Sequence, residues 1–180
     1  MWVVDAARML GKRLLVAAFV PYVGWLVFAY EYHFIDGVNL AFHEAGHLFF
    51  SFMGRTLHVL GGTIGQLFFP AACCVHFLGR RQSLEAALCC IWFAESLMYT
   101  ACYLADAQAQ ALPLVGGQIH DWNWLLSRAG LLSHCETIGA ILHAVASTVA
   151  VVALGWAVRQ AFWQSASPAP VSWPTDREAA

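Results

Sequence analysis

Long uncharged runs separated by short polar breaks set the architecture before any single residue is considered. An apolar run from Leu14 to Tyr30 follows a basic flank holding Arg8, Lys12 and Arg13. The run is long and no small-x-small cleavage site follows it, so it reads as a retained first span. Pro21 is expected to kink it, and the basic flank favours a cytoplasmic N-terminus. Glu31 to Asp36 reads as a polar turn. A second helix is predicted from Gly37 to about Met53. There Asn39, His43 and His47 recur at four-residue steps and form a polar stripe facing the bundle, with Phe42, Phe49 and Phe52 behind it. Gly54-Arg55 ends that helix, and Gly61-Gly62 reads as a turn.

Thr63 to Gly79 is predicted as a third span, with Pro70 inside it and Gln66 as its one strongly polar side chain. After a basic loop from Gly79 to Ser83, a fourth span runs from about Leu84 to Ala105. It carries Glu95 near its middle and ends at Asp106. Ala107 to Asn123 is not a span: Pro113 and Gly116-Gly117 supply turn chemistry, and Trp122 and Trp124 suit a membrane interface. An amphipathic piece from Trp124 to Leu132 leads to a last uncharged span, Thr137 to Val158. The expectation is an all-α integral membrane bundle of about five helices, with an interfacial loop between the fourth and last spans. One polytopic domain occupies 1–162, and a Pro/Ser/Ala-rich tail over 163–180 is expected to be disordered.

Composition agrees with this pattern. The 180 residues are 60% hydrophobic and 11% charged, whereas soluble domains carry about a quarter charged residues. A net charge of −2 gives no case for nucleic acid, and the lipid bilayer is the expected partner. The six cysteines include two adjacent pairs in apolar runs and no CxxC spacing, so they read as small buried hydrophobes rather than a zinc ribbon or disulfide framework.

The chemistry concentrates in His43-Glu44-Ala45-Gly46-His47. On a helix, positions i and i+4 share a face, so both imidazoles can reach one ion. Glu44 then stands beside the ion without binding it and can accept a proton from a water. Ionisable groups inside an apolar layer are costly unless they serve a site. Gln66 is open to bonding a site residue or a neighbouring helix. Glu95 is open to being a ligand, a supporting partner or a protonated structural acid. His120 and Asp121 are adjacent donors of metal-binding type. A lone His143 on an apolar helix reads as hydrogen-bonded structure.

The His43-Glu44-Ala45-Gly46-His47 helix, with Leu104-Ala105-Asp106 ending a later one, resembles the site-2-protease class of intramembrane zinc metallopeptidases. More closely, the chain is similar to small bacterial membrane proteins with a HEAGH motif, a following Gly-Gly and a late His-Asp-Trp. The similarity spans Asp36 to about Asp121. It implies a bacterial inner-membrane protein that binds zinc through His43, His47 and a later aspartate, Asp106 ranking first, with Asp121 and His120 as alternatives. It also implies that Glu44 activates the water that cleaves a peptide bond in a membrane-protein or peptide substrate. The alternative expectation is a non-catalytic membrane protein in which a structural metal joins helices. In a further alternative the motif is accidental and no metal binds.

Overall fold

The computed structural model describes residues 2–115 and 119–163. Gly116-Gly117 and nearly all of the expected tail lie outside the described residues. Those described form six α-helices and no strand: α1 (Trp2–Phe28), α2 (Phe34–Phe50), α3 (Arg55–Gly79), α4 (Ser83–Ala105), α5 (Asp121–Ala129) and α6 (Cys135–Phe162). A 3-10 turn, Leu132–His134, precedes α6. The all-α expectation holds, with α5 as a short addition. Four helical stretches are long and apolar enough to cross a membrane: Ala6–Phe28, Arg55–Gly79, Ser83–Ala105 and Leu132–Phe162. The fold is that of a membrane protein. At 17 residues, α2 extends only about 25 Å, short of a full crossing.

α4 is the central helix. α6 and then α1 pack on one side of it, α3 and then α2 on the other. The α4–α6 contact is built from small residues. Ala146, Ala150, Ala153, Ala157 and Ala161 recur every three or four positions on α6 and are buried, clustered with Ala87 and Ala94 of α4. Without a hydrophobic drive between helices in lipid, such stripes let backbones approach and gain dispersion contacts. Val23 and Leu26 of α1 join Ile91, Ala94 and Met98 in the same core.

Several element boundaries depart from the sequence reading. The basic flank ahead of the first apolar run is itself helical, as part of α1. Gly61-Gly62 is not a turn. It lies inside α3, which begins at Arg55. The six cysteines are free, and Cys102 is exposed on α4 rather than buried. His143 has the structural role expected, with Nε2 donating to the Val27 carbonyl at 3.1 Å.

The connection between α1 and α2 positions the site. Leu26, in the last turn of α1, packs in one core with Met98, and His33, just before α2, lies 4.0 Å from Glu95, near the midpoint of α4. His33 caps α2, and the Asp36 carboxylate reaches back to accept the His33 backbone N–H at 2.8 Å. This capping arrangement satisfies orphan donors at a helix start inside the bundle.

Candidate metal centre

α2 and α3 are held unusually close by glycines. A methyl built on Gly65 would lie 2.6 Å from the Phe42 carbonyl oxygen, and one on Gly61 2.8 Å from the Gly46 carbonyl oxygen. Both helices therefore need glycine at these crossings. The stripe of α2 that faces α3 and α4 carries Asp36, Asn39, His43 and Gly46, all buried.

His43 and His47 lie one turn apart with ring centroids 4.7 Å apart. Their Nε2 atoms converge on a single oxygen, Asp121 Oδ2, at 2.9 Å and 3.1 Å. His43, His47 and Asp121 each offer one donor atom, all mutually within 4.8 Å. A tetrahedral ion with bonds of about 2.0–2.1 Å spaces its ligands about 3.3–3.4 Å apart, so Asp121 Oδ2 needs to stand off from each Nε2 by only a few tenths of an ångström more. Gly62 makes room: a methyl there would sit 2.6 Å from His47 Nε2 and closer still to His43 Nε2.

The far side of each ring fixes its tautomer. His47 Nδ1 lies 2.8 Å from the His58 carbonyl oxygen, which can only accept, so Nδ1 carries the hydrogen. The amide nitrogen of Gln66 donates to the Ser96 carbonyl at 3.1 Å and to Thr100 Oγ1 at 2.8 Å. That orients Gln66 Oε1 toward His43 Nδ1, 2.9 Å away, so this nitrogen is also the donor. Both Nε2 atoms then point bare lone pairs at a carboxylate oxygen. Three acceptors facing one another are mutually repulsive unless a cation lies between them. A proton can bridge only one pair, whereas a metal ion satisfies all three. The outer hydrogen bonds are those that orient ligating histidines.

Asp121 is delivered by the start of α5. His120 caps that helix through Nδ1, which accepts the Asn123 N–H at 3.3 Å, and its ring stacks on Tyr103 with centroids 4.1 Å apart. The Tyr103 hydroxyl accepts the Asp121 backbone N–H at 3.1 Å. Burial alone would raise the Asp121 carboxyl, but in the metal-free protein a proton taken up at Nε2 of the facing rings is donated to Asp121 Oδ2, and these hydrogen bonds outweigh burial and hold the carboxyl below the usual value. Burial pushes His120 below the ordinary imidazole value, with Asp106 opposing.

The expected ranking of the third donor is thereby corrected. Asp106 caps α4, and its carboxylate accepts the N–H groups of Ala111 at 2.9 Å and Leu112 at 3.1 Å. It clamps the following loop and is not in the cluster. His120 points toward Asp106, its Nε2 3.6 Å from Asp106 Oδ2, and is likewise outside. Asp121 takes the position because α5 folds back onto the last turn of α4. Gln66 is a direct partner of His43. Glu95 instead accepts from Asn39 and stands apart from the centre.

The centre forms part of the wall of a cavity of about 840 Å³. Glu44, half-buried, lines the same cavity, as do the loop residues Leu112, Pro113, Leu114 and Val115. Arg55 lines the cavity and stands 5.5 Å from the Trp124 ring centroid.

Fold and site together define a polytopic helical membrane protein with a candidate metal centre at one end of the bundle. Comparison with models of known protein families, with curated proteins and with solved structures finds no match. Sequence reasoning missed His58 and Gly62. The His58 contribution is a backbone carbonyl, which no side-chain pattern announces. Gly61-Gly62 was visible, but a pair of glycines signals a turn and a close helix crossing equally well.

Proposed function

We propose that the chain is a membrane-embedded, zinc-dependent hydrolase acting on peptide bonds. The observation that carries this reading is the convergence of His43 Nε2, His47 Nε2 and Asp121 Oδ2 on one point, with Glu44 lining the same cavity. The donor set of two imidazoles and one carboxylate suits zinc. Among the described residues the cluster offers three donors, which leaves a position open toward the cavity, as catalytic rather than structural sites do.

His43 and His47 would hold the ion through Nε2, with Gln66 and the His58 carbonyl keeping the rings in register. Asp121 supplies the negative charge. A bound zinc would contribute Lewis acidity, polarising a substrate carbonyl and acidifying water. Glu44 takes the proton of the attacking water and returns it to the leaving amine. The loop that includes Pro113 lines the cavity with Glu44 and would serve as the entry gate for substrate.

The test is Glu44→Gln in the full chain, purified in detergent and assayed on a quenched fluorescent peptide library. The variant should retain its zinc and lose hydrolysis by at least about a hundredfold. Undiminished hydrolysis in a zinc-loaded Glu44→Gln protein would remove Glu44 from the mechanism. Bound zinc without turnover in the wild type would leave the structural reading.

A further inference from the structure

We propose a second metal site, at mid-depth in the bundle, held by His33, Asp36 and Glu95. One donor atom from each lies within 4.8 Å of the others. His33 closes the break between α1 and α2, Asp36 sits in the first turn of α2, and Glu95 lies near the middle of α4. Glu95 has one oxygen tied to a neutral donor and the other turned toward His33, while both Asp36 oxygens accept hydrogen bonds, Oδ2 from the His33 backbone N–H at 2.8 Å. Asp36 Oδ1 accepts from the Tyr30 hydroxyl. Glu95 Oε2 accepts from Asn39 Nδ2 at 2.8 Å, and Asn39 is fixed in turn by Trp92 Nε1 at 2.9 Å. Of the remaining oxygens, Asp36 Oδ2 is 2.7 Å from His33 Nδ1 and Glu95 Oε1 is 4.0 Å from His33 Nε2.

Charge makes the case for a cation. Asp36 and Glu95 are both fully buried, and one carboxylate oxygen of each lies within 4.8 Å of the other. Among the described residues neither pairs with a lysine or arginine. His33 can supply one positive charge, and its short contact with Asp36 claims it. Glu95 Oε1 is left buried with no hydrogen-bond partner. The 4.0 Å between Oε1 and His33 Nε2 is too long for a hydrogen bond. It exceeds the spacing of about 3.3–3.4 Å between ligands on a tetrahedral ion by about 0.6–0.7 Å, so the Glu95 side chain has to move inward by that much to share an ion with His33. One imidazole and two carboxylates select a transition ion such as Zn²⁺ or Mn²⁺ over the all-oxygen preference of Ca²⁺ or Mg²⁺. The Tyr22 hydroxyl lies 2.8 Å from Nε2 and has to give up that contact for Nε2 to bind an ion. Interrupted helices inside a membrane are also where ions are commonly bound, because irregular backbone survives there only around a polar site.

This site stands independently of the hydrolase reading. Asp36 precedes His43 by seven residues, about 10 Å along the helix. Metals that share a reaction lie about 3.5–4 Å apart. The second ion instead fastens the break between α1 and α2 to α4.

The experiment is metal stoichiometry on the full chain in detergent, stripped with chelator, reloaded with Zn²⁺ alone, desalted and measured by mass spectrometry. Two ions per wild-type chain are expected. Glu95→Gln and His33→Gln should each hold one, and His43→Ala/His47→Ala should hold one. Each variant is checked for an unchanged gel-filtration profile, and His33→Gln serves if Glu95→Gln does not fold. One ion per wild-type chain that persists in Glu95→Gln and His33→Gln, and vanishes in His43→Ala/His47→Ala, overturns the proposal. Glu95 would then carry a proton.

Discussion

Gly62→Ala is the sharpest probe of the metal centre, because it adds one methyl and removes no donor. That methyl would sit 2.6 Å from His47 Nε2 and nearer to His43 Nε2. Ordinary van der Waals contact begins at 3.4 Å, so the shortfall is roughly 0.8 Å. A functional constellation tolerates about 0.5 Å of displacement. The rings must therefore leave their positions, or α2 must move off α3. Affinity for zinc should fall by about a hundredfold or more, some 2.7 kcal/mol. Helix propensity works the other way, since alanine is favoured over glycine by up to about 1 kcal/mol in a helix. The metal-free protein should accordingly keep its fold. A competition titration against a chromogenic zinc chelator reads the affinity, in a Glu95→Gln background so that only the His43 centre contributes. Gly155→Ala is the control, since a methyl there meets nothing within 4 Å. Gly62→Ala protein with zinc affinity within threefold of its parent would refute the geometry of the centre.

Asp121→Asn should weaken zinc binding by at least about tenfold, while Asp106→Asn leaves it within a few fold and instead speeds proteolysis of the loop after α4. The same chelator titration and a limited-digestion time course separate the two aspartates. Gln66→Leu removes the acceptor for His43 Nδ1 and should cost about 10–100-fold in metal affinity by the same titration. In the metal-free protein the Asp121 carboxyl is held below its ordinary value of 3.8. Its stabilising contribution is therefore complete above that value and is lost as pH falls through the lower folded value. Thermal unfolding of metal-free wild type and Asp121→Asn should show a gap that is constant at mildly acidic pH and narrows below about 3.8. A gap that widens in acid contradicts this.

Much of the fold was legible because lipid imposes a coarse rule: long uncharged runs are helices, and four of the predicted runs are span-length helices here. The His43, Glu44 and His47 arrangement was legible for the same reason, since helical spacing alone sets one face. The third donor was not. Asp106 and Asp121 are both acids near the end of α4, and only the fold-back of α5 onto Tyr103 decides between them. The break between α1 and α2 was read as a turn, but its depth depends on how α1 packs against α4 and α6. His33 therefore gave no signal, although Glu95 did. Gly62 was misread because local turn chemistry and a tertiary close approach use the same residue.

X-ray absorption at the zinc edge tests the central claim most directly, on zinc-loaded Glu95→Gln protein that retains only the centre at His43. Four light ligands at about 2.0–2.1 Å, two of them with imidazole scattering and the others oxygen, are predicted. Asp121→Asn should change that oxygen shell, and Asp106→Asn should leave the spectrum unaltered. A spectrum without imidazole scattering, or one unaffected by Asp121→Asn and altered by Asp106→Asn, would contradict the account.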